Sequence, residues 1–175
     1  MALSEKANNV NWLMANFVRS TPGVEQAMAV SSDGLLIALS SQLERASADK
    51  MAAIITGMRA LAHGGANELA KGQVMQVLIE MANAYLFVSA ISGGSTLGVV
   101  TARDCDLGLV GFEITLLVER VGAQLTPTLI SELKGKTKRT HGLHSPGLSA
   151  SRAFDTAMST FDLSAATSIV IGIRM

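Results

Sequence analysis

Gly135-Lys136-Thr137 has the glycine-lysine-hydroxyl ending of a phosphate-binding loop, in which backbone amides and a lysine hold phosphate oxygens. The full motif needs a glycine where Ile130 stands, and a strand before the loop where the pattern here is helical. The triplet therefore reads as part of a basic linker. Ser92-Gly93-Gly94-Ser95 could present backbone amides to an anion. It joins two apolar strands with no helix after it, so a tight turn explains it equally well. His63 falls at a predicted helix end, where a partial positive charge is structurally favourable. His141 and His144 have a metal-compatible spacing, yet no acidic or thiol residue stands nearby to complete a ligand set. Asp104 and Asp106 flank Cys105, and helix capping accounts for them without a metal. A Ser-His-Asp triad assembles in space rather than in sequence, but the chain contains no Gly-x-Ser-x-Gly elbow. No catalytic, cofactor-binding or metal-ligating residue is assigned. Arg45 and Arg103, near predicted loops, are the residues that could touch a phosphate-bearing partner, against the simpler reading of solvated charges.

The elements that must position these residues belong to a chain of 175 residues, one domain with an appendage. Hydrophobic residues make up 49% and charged residues 16%, against about 25% charged in a typical soluble domain. So little charge predicts apolar surface that is covered in an oligomer or by a partner. The zero net charge conceals an uneven distribution. Residues 1–133 hold 8 Lys/Arg and 12 Asp/Glu, while 134–175 hold 6 and 2. An acidic body without a basic stripe argues against nucleic-acid binding. The single cysteine excludes an intramolecular disulfide and a thiolate cluster. The N-terminus lacks the layout of a signal peptide. Residues 81–102 carry no charge, but Asn83 and the glycine cluster fit a buried hairpin better than a membrane span. A cytoplasmic protein is expected.

From Ser4 to about Arg19, Val10, Leu13, Met14, Phe17 and Val18 form one helical stripe, with Ser4 as N-cap. Val24–Ser32 and Leu35–Leu39 read as strands joined at Asp33-Gly34, a hairpin signal. A second helix starts near Ser47 or Asp49 and stops at His63-Gly64-Gly65. Its apolar face, Met51, Ile54, Ile55, Met58, Leu61 and Ala62, is broader than a sheet-covering helix requires. Gln73–Met81, Ala84–Ile91 and Ser95–Thr101 follow as an antiparallel meander. A third helix begins near Asp104 or Asp106, with Leu107, Val110, Ile114, Leu117, Val118, Val121 and Leu125 on its stripe. Pro127 ends it or opens a restarted segment to Leu133. Beyond that, residues 134–175 form a basic linker and a poorly specified extension, native or appended. The extension has a possible helix around Arg152–Phe161 and an apolar end, Ile169–Ile173.

The order helix, two strands, helix, three strands, helix, with Ala27–Ile37 at the first hairpin, resembles the roadblock/dynein light chain family. Gln73–Ile79, Ala84–Val88 and Leu97–Val100 look like its third, fourth and fifth strands. The resemblance covers about Ser4 to Leu133 and implies an α/β sandwich of roadblock/profilin type. Its five-stranded antiparallel sheet would carry the second helix on one face and the terminal helices on the other. It also implies a homodimer formed by the second helices and third strands, placing Met51, Ile54, Ile55, Met58, Leu61, Met75 and Val77 at the interface. The bacterial branch implies a regulator or scaffold of a small Ras-like GTPase. A membrane sensor-kinase-like protein is a further partner that could draw it to the membrane. The alternative from a different class is a small-molecule sensor, which would need a cavity with convergent polar groups.

Overall fold

A computed structural model of the chain describes residues 5–40, 43–126, 128–131 and 171–174. The first helix, α1 (Glu5–Ser20), seals Val10, Met14 and Phe17 in the core, with Leu13 and Val18 at its margin. The expected cap Ser4 lies outside the described residues. Gly23, at φ +83°, turns the chain into β1 (Val24–Val30). Its partner β2 (Leu36–Leu39) is antiparallel, with a register irregularity at Ala29/Val30. The hairpin is looser than a two-residue turn, because only Gly34 takes a positive φ. Ser31 closes the loop instead: its amide donates to the Leu35 carbonyl (2.9 Å) and its hydroxyl to Asp33 Oδ1 (2.5 Å).

The second helix, α2, runs Arg45–Glu68, starting earlier and ending later than the sequence suggested. It passes through Gly64-Gly65 because Ala66 beyond them is buried in the core, and that burial offsets the poor helix propensity of glycine. It ends on paired bonds, Ala70 N–H to Asn67 O and Lys71 N–H to Ala66 O, both 3.0 Å. This closure requires a left-handed residue, usually glycine, and Ala70 supplies it at φ +51°.

Strands β3 (Gln76–Glu80), β4 (Ala84–Ala90) and β5 (Thr96–Ala102) form the expected meander. β3 is shorter than Gln73–Met81, although the Met75 carbonyl still accepts from Ala90. β5 returns to pair with β1, giving the order β2-β1-β5-β4-β3. The third helix, α3 (Leu107–Gln124), is capped by Asp106 Oδ1, which accepts from the Gly108 and Leu109 amides at 2.9 and 3.0 Å. It buries Val110, Ile114, Leu117 and Val121, whereas Leu107 is exposed. The helix breaks before Pro127 and restarts over residues 128–131.

Two cores flank the sheet. α1 and α3 cover one face around Met14, Leu97, Val99 and Ile114; α2 covers the other around Met28, Val30, Ile55, Val77 and Val88. This is the five-stranded sandwich anticipated from the sequence, with one addition. A sixth strand, β6 (Ile171–Arg174), pairs antiparallel with the outer side of β3. The possible helix at Arg152–Phe161 lies outside the described residues.

Candidate interaction surface

The seat of α2 on the sheet decides which of its apolar residues face outward. A side chain at Gly98, in the middle of β5, would collide with Ile55 Cδ1 and come within 3.3 Å of Met28 Cγ. The missing side chain is the slot that accepts Ile55. With Ile55 fixed inward, the helical repeat turns Ile54 and Leu61 away from the sheet. Ile55 is 0% exposed, whereas Ile54 is 45%, Leu61 65% and the neighbouring Met75 57% exposed.

The seven residues expected at an interface therefore divide. Ile54, Leu61 and Met75 are on the surface, and Met51 and Met58 are half-buried at its base. Ile55 and Val77, expected at the interface as well, are instead buried within the protomer. The sequence stripe merged Ile55 with the outward residues because α2 is apolar on both sides, whereas Val77 lies on β3. Leu69, also exposed at the end of α2, extends the surface and was not anticipated. On the opposite layer, Trp12 of α1 and Leu109 and Phe112 of α3 are exposed as well. They fall outside the stripes that form the core, which is why periodicity passed over them.

Arg59, which no motif marks, locks α2 to the β4–β5 joint. Its Nη1 donates to the Gly94 carbonyl (2.6 Å), the Ser95 carbonyl (3.3 Å) and Thr96 Oγ1 (3.1 Å). From the other layer, the Gly122 carbonyl accepts from Ser92 Oγ at 3.2 Å. Ser92-Gly93-Gly94-Ser95 thus works as a structural joint between α2 and α3, with Gly93 and Gly94 both at positive φ.

The two candidate arginines are both engaged. Arg45 Nε pairs with Asp49 Oδ2 at 3.1 Å one turn along α2. Arg103 pairs with Glu80 and lies over the Tyr85 ring, 4.8 Å from its centroid. Cys105 is half-buried and bonds to Thr101 Oγ1 at 3.2 Å. Among the described residues, no group of three or more His, Cys, Asp or Glu side chains is placed to hold a metal. His141 and His144 lie outside them. No described helix is long and apolar enough to cross a membrane, and the uncharged run at 81–102 is the β4–β5 hairpin.

The Roadblock/LC7 domain family matches residues 10–101, 92 of the 175 in the chain. The chain belongs to the Roadblock/LC7 family. Among solved structures, a Roadblock/LC7 domain from Streptomyces avermitilis is 34% identical, with a TM-score of 0.61 over 63% of this chain and 92% of that one. MglB of Myxococcus xanthus, 18% identical, aligns over 66% of this chain and 93% of its own with a TM-score of 0.61. The gliding protein MglB of Thermus thermophilus, 16% identical, aligns over 71% and 93% with a TM-score of 0.63. At such identities the MglB likenesses speak for the fold alone. No curated protein matches the sequence.

Proposed function

We propose that this Roadblock/LC7 protein is a homodimeric regulator or scaffold of a small Ras-like GTPase. The observation that carries the proposal is the outward face of α2. Ile54, Leu61, Leu69 and Met75 lie exposed beside half-buried Met51 and Met58, although the same helix already fills its own core with Ala52, Ile55 and Ala66. An apolar surface of this kind is stabilised by burial against another molecule. A symmetric pair, in which each copy offers the same patch, is the commonest solution. The five residues Met51, Ile54, Met58, Leu61 and Met75 form the contact in this reading.

A dimer joined through α2 leaves the opposite layer free, where Trp12 and Phe112 are exposed. Aromatic residues are enriched in protein interfaces, so that layer suits a second protein. The GTPase assignment follows from the family resemblance, as does a location in the cytoplasm or at a membrane held through partners. Arg45 and Arg103 are the proposed partner contacts. Their side chains are 51% and 45% exposed, close enough to the surface to exchange their present ion pairs for a partner's phosphates or carboxylates.

Two measurements test the proposal. The chain is co-purified with a small Ras-like GTPase loaded with GDP or with a non-hydrolysable GTP analogue, and retention of one loaded form over the other is expected. Phosphate release by that GTPase is then followed with and without the protein. A changed rate identifies a regulator, and binding at an unchanged rate identifies a scaffold. Loss of both binding and rate effect with cognate GTPases contradicts the proposal.

A further inference from the structure

We propose that β6 is a built-in plug on the β3 edge, which a second copy must displace before two sheets can join there. The inference rests on the self-association proposed above and adds a control on it. A strand has two hydrogen-bonding edges. β3 spends one on β4, from Gln76↔Ser89 to Glu80↔Tyr85. It spends the other on β6, with Gln76↔Arg174, Val77↔Ile173, Leu78↔Gly172 and Ile79↔Ile171 as partners. Both edges are taken, so a copy approaching β3 edge-on finds no free ladder.

The edge itself invites pairing. Val77-Leu78-Ile79 is an uninterrupted apolar run without proline or glycine, the type of edge that joins other strands unless it is covered. The strand also packs under α2, where Val77 shares a core with Ile55, and exposed Met75 immediately precedes it. An approach by a second copy along α2 therefore brings the two β3 edges within reach of one another.

The plug is a light attachment, comparable to β2 at the opposite edge of the sheet. β6 has four residues and ends the strand order, so it is held from one side only. Because β6 belongs to the same chain, its occupancy of the edge does not depend on protein concentration, whereas pairing with a second copy does. The two compete for one ladder. At low concentration β6 holds the edge, and at higher concentration a second copy releases it. Both protomers must open, so a plug closed about ten to one in each weakens edge-joined association about a hundredfold.

The test uses the full chain carrying Gly172→Pro and Ile173→Pro together. Successive residues of a strand point their amides to opposite sides, so one of the two prolines must remove a donor facing β3. Hydrogen exchange is measured at the amides of Gln76 and Leu78, and the dissociation constant by sedimentation; these two amides face β6, because Met75 and Met81 bond to β4 and successive residues alternate. In wild-type protein diluted to monomer, these amides should be protected. In the variant they should exchange fast on dilution and regain protection at high concentration, with dimerisation tightened at least about tenfold. Unchanged exchange at dilution shows that β6 does not cover the edge and overturns the proposal. Fast exchange with an unchanged dissociation constant shows that the two do not compete, and overturns it while self-association stands. If neither protein associates at any concentration, the dimer reading fails and the control falls with it.

Discussion

Adjacent isoleucines on α2 offer a sharp test of how this helix is seated. Ile55 is fully buried against the slot left by Gly98, while Ile54 is nearly half exposed. Ile55→Ala removes three buried carbon groups, worth about 0.8 kcal/mol each, or about 2.4 kcal/mol in transfer free energy. Part of the resulting hole cannot close, because Gly98 has no side chain to move into it. The cavity contribution raises the expected cost to about 3–4 kcal/mol. At about 3 °C per kcal/mol for a domain of this size, the melting temperature should fall by about 10 °C. Ile54→Ala should cost less than about 1 kcal/mol in dilute protein, because much of that side chain already meets water. Its effect should appear instead as a weaker dependence of melting temperature on concentration, since association stabilises the fold by mass action. Thermal unfolding of both variants over a range of concentrations gives the comparison. Ile55→Ala within about 1 kcal/mol of wild type, or Ile54→Ala the costlier change at low concentration, would refute this seating of the helix.

Gly98→Val should unseat α2, since its side chain would occupy the space of Ile55 Cδ1; lost cooperativity in near-ultraviolet circular dichroism and thermal melting would report it. Ala70→Gly should stabilise the protein by up to about 1 kcal/mol, because Ala70 sits at a left-handed φ of +51° that glycine adopts without strain. A lower denaturation midpoint in urea would count against that. Arg59→Met keeps much of the aliphatic stem but removes the donor to the Gly94 carbonyl and Thr96 Oγ1, while the Ser95 carbonyl still accepts from the Ile91 amide. It should cost about 1–3 kcal/mol by urea denaturation. Asp106→Ala removes the α3 cap and should cost about 1 kcal/mol, with Asp106→Asn recovering most of the loss.

The features legible in the sequence were the ones fixed locally. Asp106 capping α3 (one of the two acids the pattern offered), Gly34 in the first hairpin and the stripe of α1 depend on residues a few positions apart. What escaped was decided across the fold. Nothing near Gly64-Gly65 signals that α2 continues, because the reason is the burial of Ala66 on the sheet. Ile54 and Ile55 look equivalent on a helix apolar on both sides, and only the gap at Gly98 on a strand some 43 positions later separates them. The partners of Arg59 lie 35 to 37 residues along the chain. β6 is a four-residue segment whose partner, β3, lies more than 90 residues upstream, and a short apolar run does not name the edge it will meet. The candidate interface was therefore found as a helix, but its inner and outer residues were not told apart.

Sedimentation equilibrium of wild type and Ile54→Asp at micromolar to millimolar concentration tests most directly whether two copies meet on the outer face of α2. A charge on that face should be harmless to a lone protomer and costly when buried against a second copy. The expected result is a wild-type dimer and a folded, monomeric variant with the wild-type circular dichroism spectrum. A variant that dimerises as tightly as wild type, or a wild-type chain that stays monomeric throughout, would contradict the account.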